Sequence, residues 1–415
     1  MTSRFLISHI ILRAALVLSR TTQEQTLAYN SLGPSSFTYR RPPLITITII
    51  SQTIPPIRHL NPSKMASQPS FSTKIKLAAA HSAPVYMSKS ATLAKAINLI
   101  HAAARDGVSM LVFPETYVPG YPYFIECYPP LKQVAALAKY AEESVVVDED
   151  LDGVVEACRT TGVSVVLGVS ERMKGGYTCF NSQVFVAGGR GGGIKGTHRK
   201  LQPTYVERII WAQGDGSTLK TWKGMLGSEA DGREKSWNVG GLACWEHTML
   251  LARQALITQQ EHVHAAAWPA LSTMAGFEES ADSQIEALMK CHALTAQCFV
   301  VAASNYVDET CLEWMKENIG EQGFVKRGGG WSAVIHPFCN VLAGPVTGEK
   351  EELVTAEVDL KDLGMVKIWV DADGHYSRPE ILPFVWDKEA YWEAGKKKHE
   401  LRVSGVKGGE EAEKA

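Results

Sequence analysis

The sequence predicts an α/β, or layered α+β, fold. Three observations carry that reading. From Lys74 onward, short apolar runs alternate with amphipathic stretches of helical length. Hydrophobic residues make up 45% of the 415 and charged residues 21%, which is enough apolar surface for a sizeable core. No internal repeat, heptad series or membrane-length apolar run interrupts the alternation.

The elements follow in chain order. Residues 75–80 form an apolar strand, and 88–106 a helix with Ser88 or Ser90 as cap. Leu93, Ile97, Ile100 and Ala104 give that helix a buried stripe, and Gly107 ends it. Residues 109–115 are a short strand finishing on a carboxylate, and 130–161 hold a pair of helices. A strand at 163–170 precedes a hairpin formed by 177–189 and 192–200, turned through the glycines at 188–193. Next come a strand at 239–244, a helix at 247–260, a strand at 262–268 and a helix at 278–297. Strands at 298–304, 331–343 and 353–360 complete the series.

Both ends differ from this body. Residues 1–64 contain one acid, Glu24, against several arginines, and are rich in Ser, Thr and Pro. That bias suits a mitochondrial transit peptide; the alternative is a mis-called start, since Met65 opens a fresh segment, with a cytoplasmic enzyme as the outcome. The run from Phe5 to Leu18 is broken by His9 and Arg13 and is too short to span a bilayer. The expected organisation is an extension at 1–73, one domain at 74–360, and an oligomerisation or solvated tail at 361–415.

A net charge of −2 argues against a nucleic-acid partner or an acidic membrane surface. Eight scattered cysteines without a CxxC pair form no disulfide framework, and most read as small buried hydrophobes in a reducing compartment. Cys244 is set apart by context. WNVGGLAC is an apolar strand that delivers the thiol to its end, with a helix beginning just after, where helix dipoles favour the thiolate. Glu115 ends LVFPE, in surroundings dry enough to raise a carboxyl group towards neutral pH and make it a base, or else it merely opens a surface loop. Lys200, in THRKLQPTYVER, either stabilises an anion or belongs to a solvated basic patch with His198 and Arg199.

Taken together, FPETYVPGYP, HRKLQPTYVER and CWEH resemble the nitrilase, or carbon–nitrogen hydrolase, superfamily. HAAAWP, RGGGWSAVIHPFCNVLAGP and GHYSRPEIL extend the likeness from about Lys74 to Leu382. The resemblance implies a four-layer α-β-β-α sandwich, with Glu115 as general base, Lys200 stabilising the developing anion and Cys244 as nucleophile. It also implies a supporting role for Glu207, and a homodimer or larger spiral homo-oligomer. The Trp245 backbone N–H is a second donor for the developing anion. Trp245, His247 and Tyr121 are expected at the substrate, although the aromatics from Tyr117 to Phe124 would equally anchor a loop.

His247 after Cys-Trp-Glu looks like the organic nitrilases, whereas cyanide hydratases tend to carry Asn there. A nitrilase is therefore the first expectation, with cyanide hydratase or an amidase of the same superfamily as alternatives. No metal or organic cofactor is required by this chemistry. GGRGGGIKG lacks the ending of a phosphate loop and reads as a turn, and His262, His264, Cys244 and His247 make no closed zinc set. The chain departs from the family in its N-terminal extension and in the polar insert GSEADGREKSW ahead of the nucleophile strand.

Overall fold

The computed structural model describes residues 73–226 and 237–392. The N-terminal extension, nearly all of the polar insert and the final Lys/Glu/Gly run lie outside those residues. In chain order the main elements are β1 (Lys74–His81), α1 (Lys89–Arg105), β2 (Met110–Val112), α2 (Val134–Glu143), α3 (Asp152–Thr161) and β3 (Ser164–Arg172). They continue with β4 (Cys179–Val186), β5 (Ile194–Arg199), β6 (Trp222–Leu226), β7 (Trp237–Ala243), α4 (Leu250–Ile257) and β8 (Val263–Trp268). The remainder are α5 (Ala281–Ala296), β9 (Phe299–Ser304), α6 (Glu309–Asn318), β10 (Ser332–Ile335), β11 (Val341–Val346), β12 (Glu352–Asp359) and α7 (Asp362–Trp369).

Two six-stranded sheets result, in the orders β12-β1-β2-β3-β4-β5 and β11-β10-β9-β8-β7-β6. Each has a parallel centre, β1-β2-β3 and β7-β8-β9, with antiparallel strands outside it. Strand periodicity decides what meets what. On β1, Leu77 and Ala79 enter the core between the sheets, while Ala78 and Ala80 face α1 and α3. On β9, Phe299, Val301 and Ala303 enter that same core, while Val300 and Ala302 face α5. The layers are therefore helix, sheet, sheet, helix, as the resemblance implied. Alanine runs on the central strands let backbones approach, and Met110, Phe185 and Phe299 fill the space between, each worth about 1.5–3 kcal/mol when fully buried.

Several elements differ from expectation for identifiable reasons. The buried stripe of α1 is Thr92, Ala96, Ile100 and Ala103: Ile100 is as predicted, and the other three lie one position before the predicted Leu93, Ile97 and Ala104, which are half-buried flanks. Neither serine caps the helix through its side chain; the Glu143 carboxylate accepts from the Lys89 N–H instead, at 2.7 Å. The strand expected over 331–343 is a hairpin, because Cys339 at φ +68° turns the chain between β10 and β11. The helix expected from residue 247 begins at Leu250, after a 3₁₀ turn over Cys244–Thr248. Residues 361–392 pack in part on their own domain: Leu363 of α7 enters the core between the sheets, and Phe384 and Trp386 lie against Leu219, Leu242 and Leu256. Among the described residues no helix is long and apolar enough to cross a membrane.

Candidate active site

Three strand ends converge. Strand β2 stops after three residues because Pro114 has no N–H to continue the ladder, and the chain turns there to present Glu115. The turn presses on β3 at Gly168, where a Cβ would lie 1.9 Å from the Pro114 carbonyl oxygen, so only glycine admits it. Lys200 follows β5 directly, and its N–H bonds the Asn181 carbonyl at 2.8 Å. Cys244 follows β7 and adopts φ +53°, a left-handed conformation that costs a non-glycine residue about 1–3 kcal/mol.

The side chains meet in a dry centre. Lys200 Nζ donates to Glu115 Oε1 at 2.9 Å and to Glu207 Oε2 at 2.7 Å, all three groups being almost wholly buried. Asn181 Nδ2 donates to Glu115 Oε1 at 2.6 Å. The other Glu115 oxygen, Oε2, has no hydrogen-bond partner among the described residues, which leaves it open to a proton. Glu207 is held in turn by the Tyr121 hydroxyl at 3.0 Å and the Thr204 N–H at 2.7 Å. The Cys244 sulfur and one carboxylate oxygen from each of Glu115 and Glu207 lie within 4.8 Å of one another. Lys200 sits between both carboxylates, so the positive charge that a metal would bring to them is already present.

Burial raises the Glu115 carboxyl to about 7, against the opposing pull of Lys200. Burial alone would lower Lys200, but Glu115 and Glu207 outweigh it and hold the ammonium well above its ordinary range. The Cys244 thiol is pushed well above its ordinary value, by burial first and then by Glu115. This corrects the expectation that helix dipoles make the resting residue a thiolate. A single 3₁₀ turn follows Cys244 rather than a helix, and two carboxyls face the sulfur.

The other candidate residues are placed as follows. Tyr121 is buried and holds Glu207, with its ring edge-on to Tyr123. Trp245 is half-buried and lines an open hollow of about 290 Å³ with Gln202, Thr204, Tyr205, Arg208 and Met249. His247 is not at the substrate: it is buried behind the nucleophile, stacked on Trp268, with both ring nitrogens occupied. Tyr117, Tyr123 and Phe124 are buried as loop anchors; Tyr123 donates to Asn305 at 3.0 Å and accepts from the Ala270 N–H at 2.8 Å. His198 and Arg199 are not a solvated patch either, since His198 pairs with Glu246 and Arg199 with Glu171.

Two supports escaped the sequence. Asn181, a polar residue inside the apolar strand CFNSQVFV, was the visible signal for the first. The second is Glu246, whose carboxylate accepts from Leu201 N–H at 2.8 Å and Ala243 N–H at 3.1 Å. It thereby ties the segment after Lys200 to the strand before Cys244, and the buried His198 ring completes its hydrogen bonds at 3.1 Å.

The carbon–nitrogen hydrolase family model matches residues 76–368, spanning all three strand ends. The chain belongs to the carbon–nitrogen hydrolase family. A nitrilase from Pseudomonas syringae pv. syringae is 32% identical to this hydrolase over 315 residues, covering 75% of this chain and 90% of that one. An aliphatic nitrilase from Rhodococcus rhodochrous is 32% identical over 316 residues, covering 75% and 82%. The solved structure of Saccharomyces cerevisiae Nit3, a member of branch 10 of the nitrilase superfamily, superposes with a TM-score of 0.54 at 17% identity, covering 74% of this hydrolase and 97% of that chain.

Proposed function

We propose that this carbon–nitrogen hydrolase is a nitrilase, converting an organic nitrile to its carboxylic acid and ammonia. The observation that carries the reading is the buried ammonium of Lys200, bonded to two carboxylates beside the Cys244 thiol. The nitrilase names of relatives matching most of both chains support the nitrile as substrate.

Glu115 takes the thiol proton as the sulfur adds to the nitrile carbon, and returns it to nitrogen, leaving a thioimidate. Lys200 holds the negative charge that develops on that nitrogen, in surroundings where a fixed charge acts strongly. A water gives a proton to Glu115 and adds to the same carbon; nitrogen, protonated again, leaves as ammonia. The resulting thioester is cleaved by a second water, releasing the acid and restoring the thiol. Expelling the sulfur before the nitrogen would release the amide instead. Glu207 and Tyr121 keep Lys200 in register throughout.

Offered a nitrile and its matching amide side by side, the enzyme should release ammonia faster from the nitrile. Faster hydrolysis of the amide would remove the reading in favour of an amidase, and formamide from cyanide as the sole product would favour a cyanide hydratase. The acid limb of kcat/KM should inflect near pH 7, where Glu115 titrates. Below that value the carboxyl is protonated and cannot accept the thiol proton, so activity falls about tenfold per pH unit. A limb centred near pH 4.5 would mean that Glu115 is not the base.

The chain is further proposed to form homodimers, and larger spiral assemblies from them. Leu250 and Leu251 on α4 are each 68% exposed, and a groove of about 520 Å³ is lined by Gln254 and Ile257 of the same helix with Leu294, Val366 and Trp369. Exposed apolar surface of this kind marks a contact face. Leu250→Glu combined with Leu251→Glu should reduce the mass measured by light scattering, and an unchanged mass would place the contact elsewhere.

A further inference from the structure

Behind the nucleophile lies a second buried cluster that the hydrolysis scheme does not use. His247 Nδ1 is 2.7 Å from the Cys244 carbonyl oxygen, and its Nε2 is 2.9 Å from Nε2 of His264. His264 Nδ1 is 2.8 Å from Glu261 Oε1, and His292 Nε2 is 2.8 Å from Glu261 Oε2. All four side chains are almost wholly excluded from solvent. The carboxylate occupies space that only a glycine on the nucleophile strand leaves open, since a Cβ at Gly240 would lie 2.1 Å from Glu261 Oε1.

Donor and acceptor chemistry, with His247 kept neutral by its burial, places the protons on these rings. A carbonyl oxygen only accepts, so His247 Nδ1 carries a proton. In a neutral ring His247 Nε2 is then bare, and it must accept from an Nε2–H of His264. Glu261 as a carboxylate also only accepts, so His264 Nδ1 carries a proton as well. His264 is therefore an imidazolium, paired with the Glu261 carboxylate and donating to His247. His292 donates its one proton to the other Glu261 oxygen, and its Nδ1 has no hydrogen-bond partner among the described residues.

The charges fit this assignment. His247 is lowered well below its ordinary value, by burial first and then by the His264 charge. Glu261 is held down to about 2 because His264 and His292 outweigh its burial, and burial with the His264 charge takes His292 to about 4. Arg253, His262 and the Cys298 thiol are further titratable groups beside the cluster.

The target of this chain of bonds is one peptide plane. In a trans peptide the C=O of Cys244 and the N–H of Trp245 point in opposite directions, so fixing the carbonyl fixes the N–H. That N–H donates toward the Cys244 sulfur, and so borders the carbon that the sulfur attacks in the proposed reaction. We propose that Glu261, His264 and His247 act as positioning residues that lock the Cys244–Trp245 peptide plane and aim the Trp245 N–H at the reacting atoms. The inference rests on Cys244 being the nucleophile of the proposed hydrolysis.

The test compares His247→Leu, which removes the donor to Cys244, with His247→Asn, whose amide nitrogen can stand where Nδ1 does. His247→Leu should lower kcat roughly tenfold to a hundredfold at little-changed KM, and slow alkylation of Cys244 by iodoacetamide, while His247→Asn recovers most of both. Alkylation needs no nitrile, so it reads the positioning even if the preferred substrate is an amide. Nitrogen-15 spectra of histidine-labelled wild type at about pH 7.5 should show a doubly protonated ring for His264 besides that of His198, which lies between the Thr218 carbonyl and the Glu246 carboxylate, and Glu261→Gln should abolish only the first. The proposal is overturned if His247→Leu and His247→Asn have the same kcat and alkylation rate. It is also overturned if Glu261→Gln removes no doubly protonated ring, or if the purified protein carries one zinc per chain on Glu261, His264 and His292.

Discussion

Replacing Cys244 by Ala should leave no measurable turnover, a loss of about 10⁴-fold or more, with the fold and the assembly intact. The substitution removes one sulfur atom from a buried site and adds no polar group, so the loss can be assigned to chemistry. The positive φ is equally tolerable to Cys and Ala, and the bonds that hold the turn, His247 to the Cys244 carbonyl and Glu246 to the Ala243 N–H, do not involve the thiol. Ammonia release and the circular dichroism melting curve of the same preparation decide the matter. Hydrolysis at the parental rate would show that the nucleophile is elsewhere.

Lys200→Met should be nearly as severe and should damage the fold as well. It removes the one cation between Glu115 and Glu207 and leaves their oxygens facing each other without water. Losing one partner of a buried pair costs about 3–5 kcal/mol, reduced here to the extent that the carboxyls take up protons instead. The sign of the pH dependence follows. Without the opposing pull of Lys200, Glu115 binds its proton still more tightly folded than unfolded, so stability is greatest at low pH and falls as pH rises through neutrality. Melting temperatures at pH 5 and pH 8 should therefore diverge more in the variant than in the parent. With the anion unsupported, kcat should drop by roughly 10²–10³. A stable variant with kcat within a few-fold of the parent would remove Lys200 from the mechanism.

The layers were legible because they follow from local pattern, whereas Glu115, Lys200 and Cys244 were brought together by the family resemblance of the motifs around them. Apolar runs such as LAAA and FVVAA mark central strands, and Glu115 and Cys244 stand where such runs stop, while Lys200 follows the polar IKGTHR and is marked by its motif alone. What the sequence could not show was the depth of side chains on the far side of a strand. His247 was expected at the substrate because it follows the nucleophile, yet the tight turn at Cys244 carries it backwards into Trp268. Glu261 went unnoticed beside His262 and His264, since its meaning depends on His292 of α5, 31 residues away in sequence. The thiolate was misjudged for a related reason: burial first, and then Glu115, raise the thiol, and the short turn supplies no helix dipole against them.

The arrangement of Glu115, Lys200 and Glu207 also bears on what happens after the last bond breaks. Two carboxyls balanced by one ammonium give a centre that is at best neutral and becomes negative as Glu115 ionises. An uncharged nitrile enters it without electrostatic penalty. The acid formed there ionises beside a group of its own sign, and at about 4 Å that repulsion reaches about 4 kcal/mol where the effective dielectric constant is near 20. Departure of the acid is thus driven by the charges that made it, whereas a neutral amide feels no such push. The expected kinetic result is that the acid inhibits its own formation less than the matching amide does.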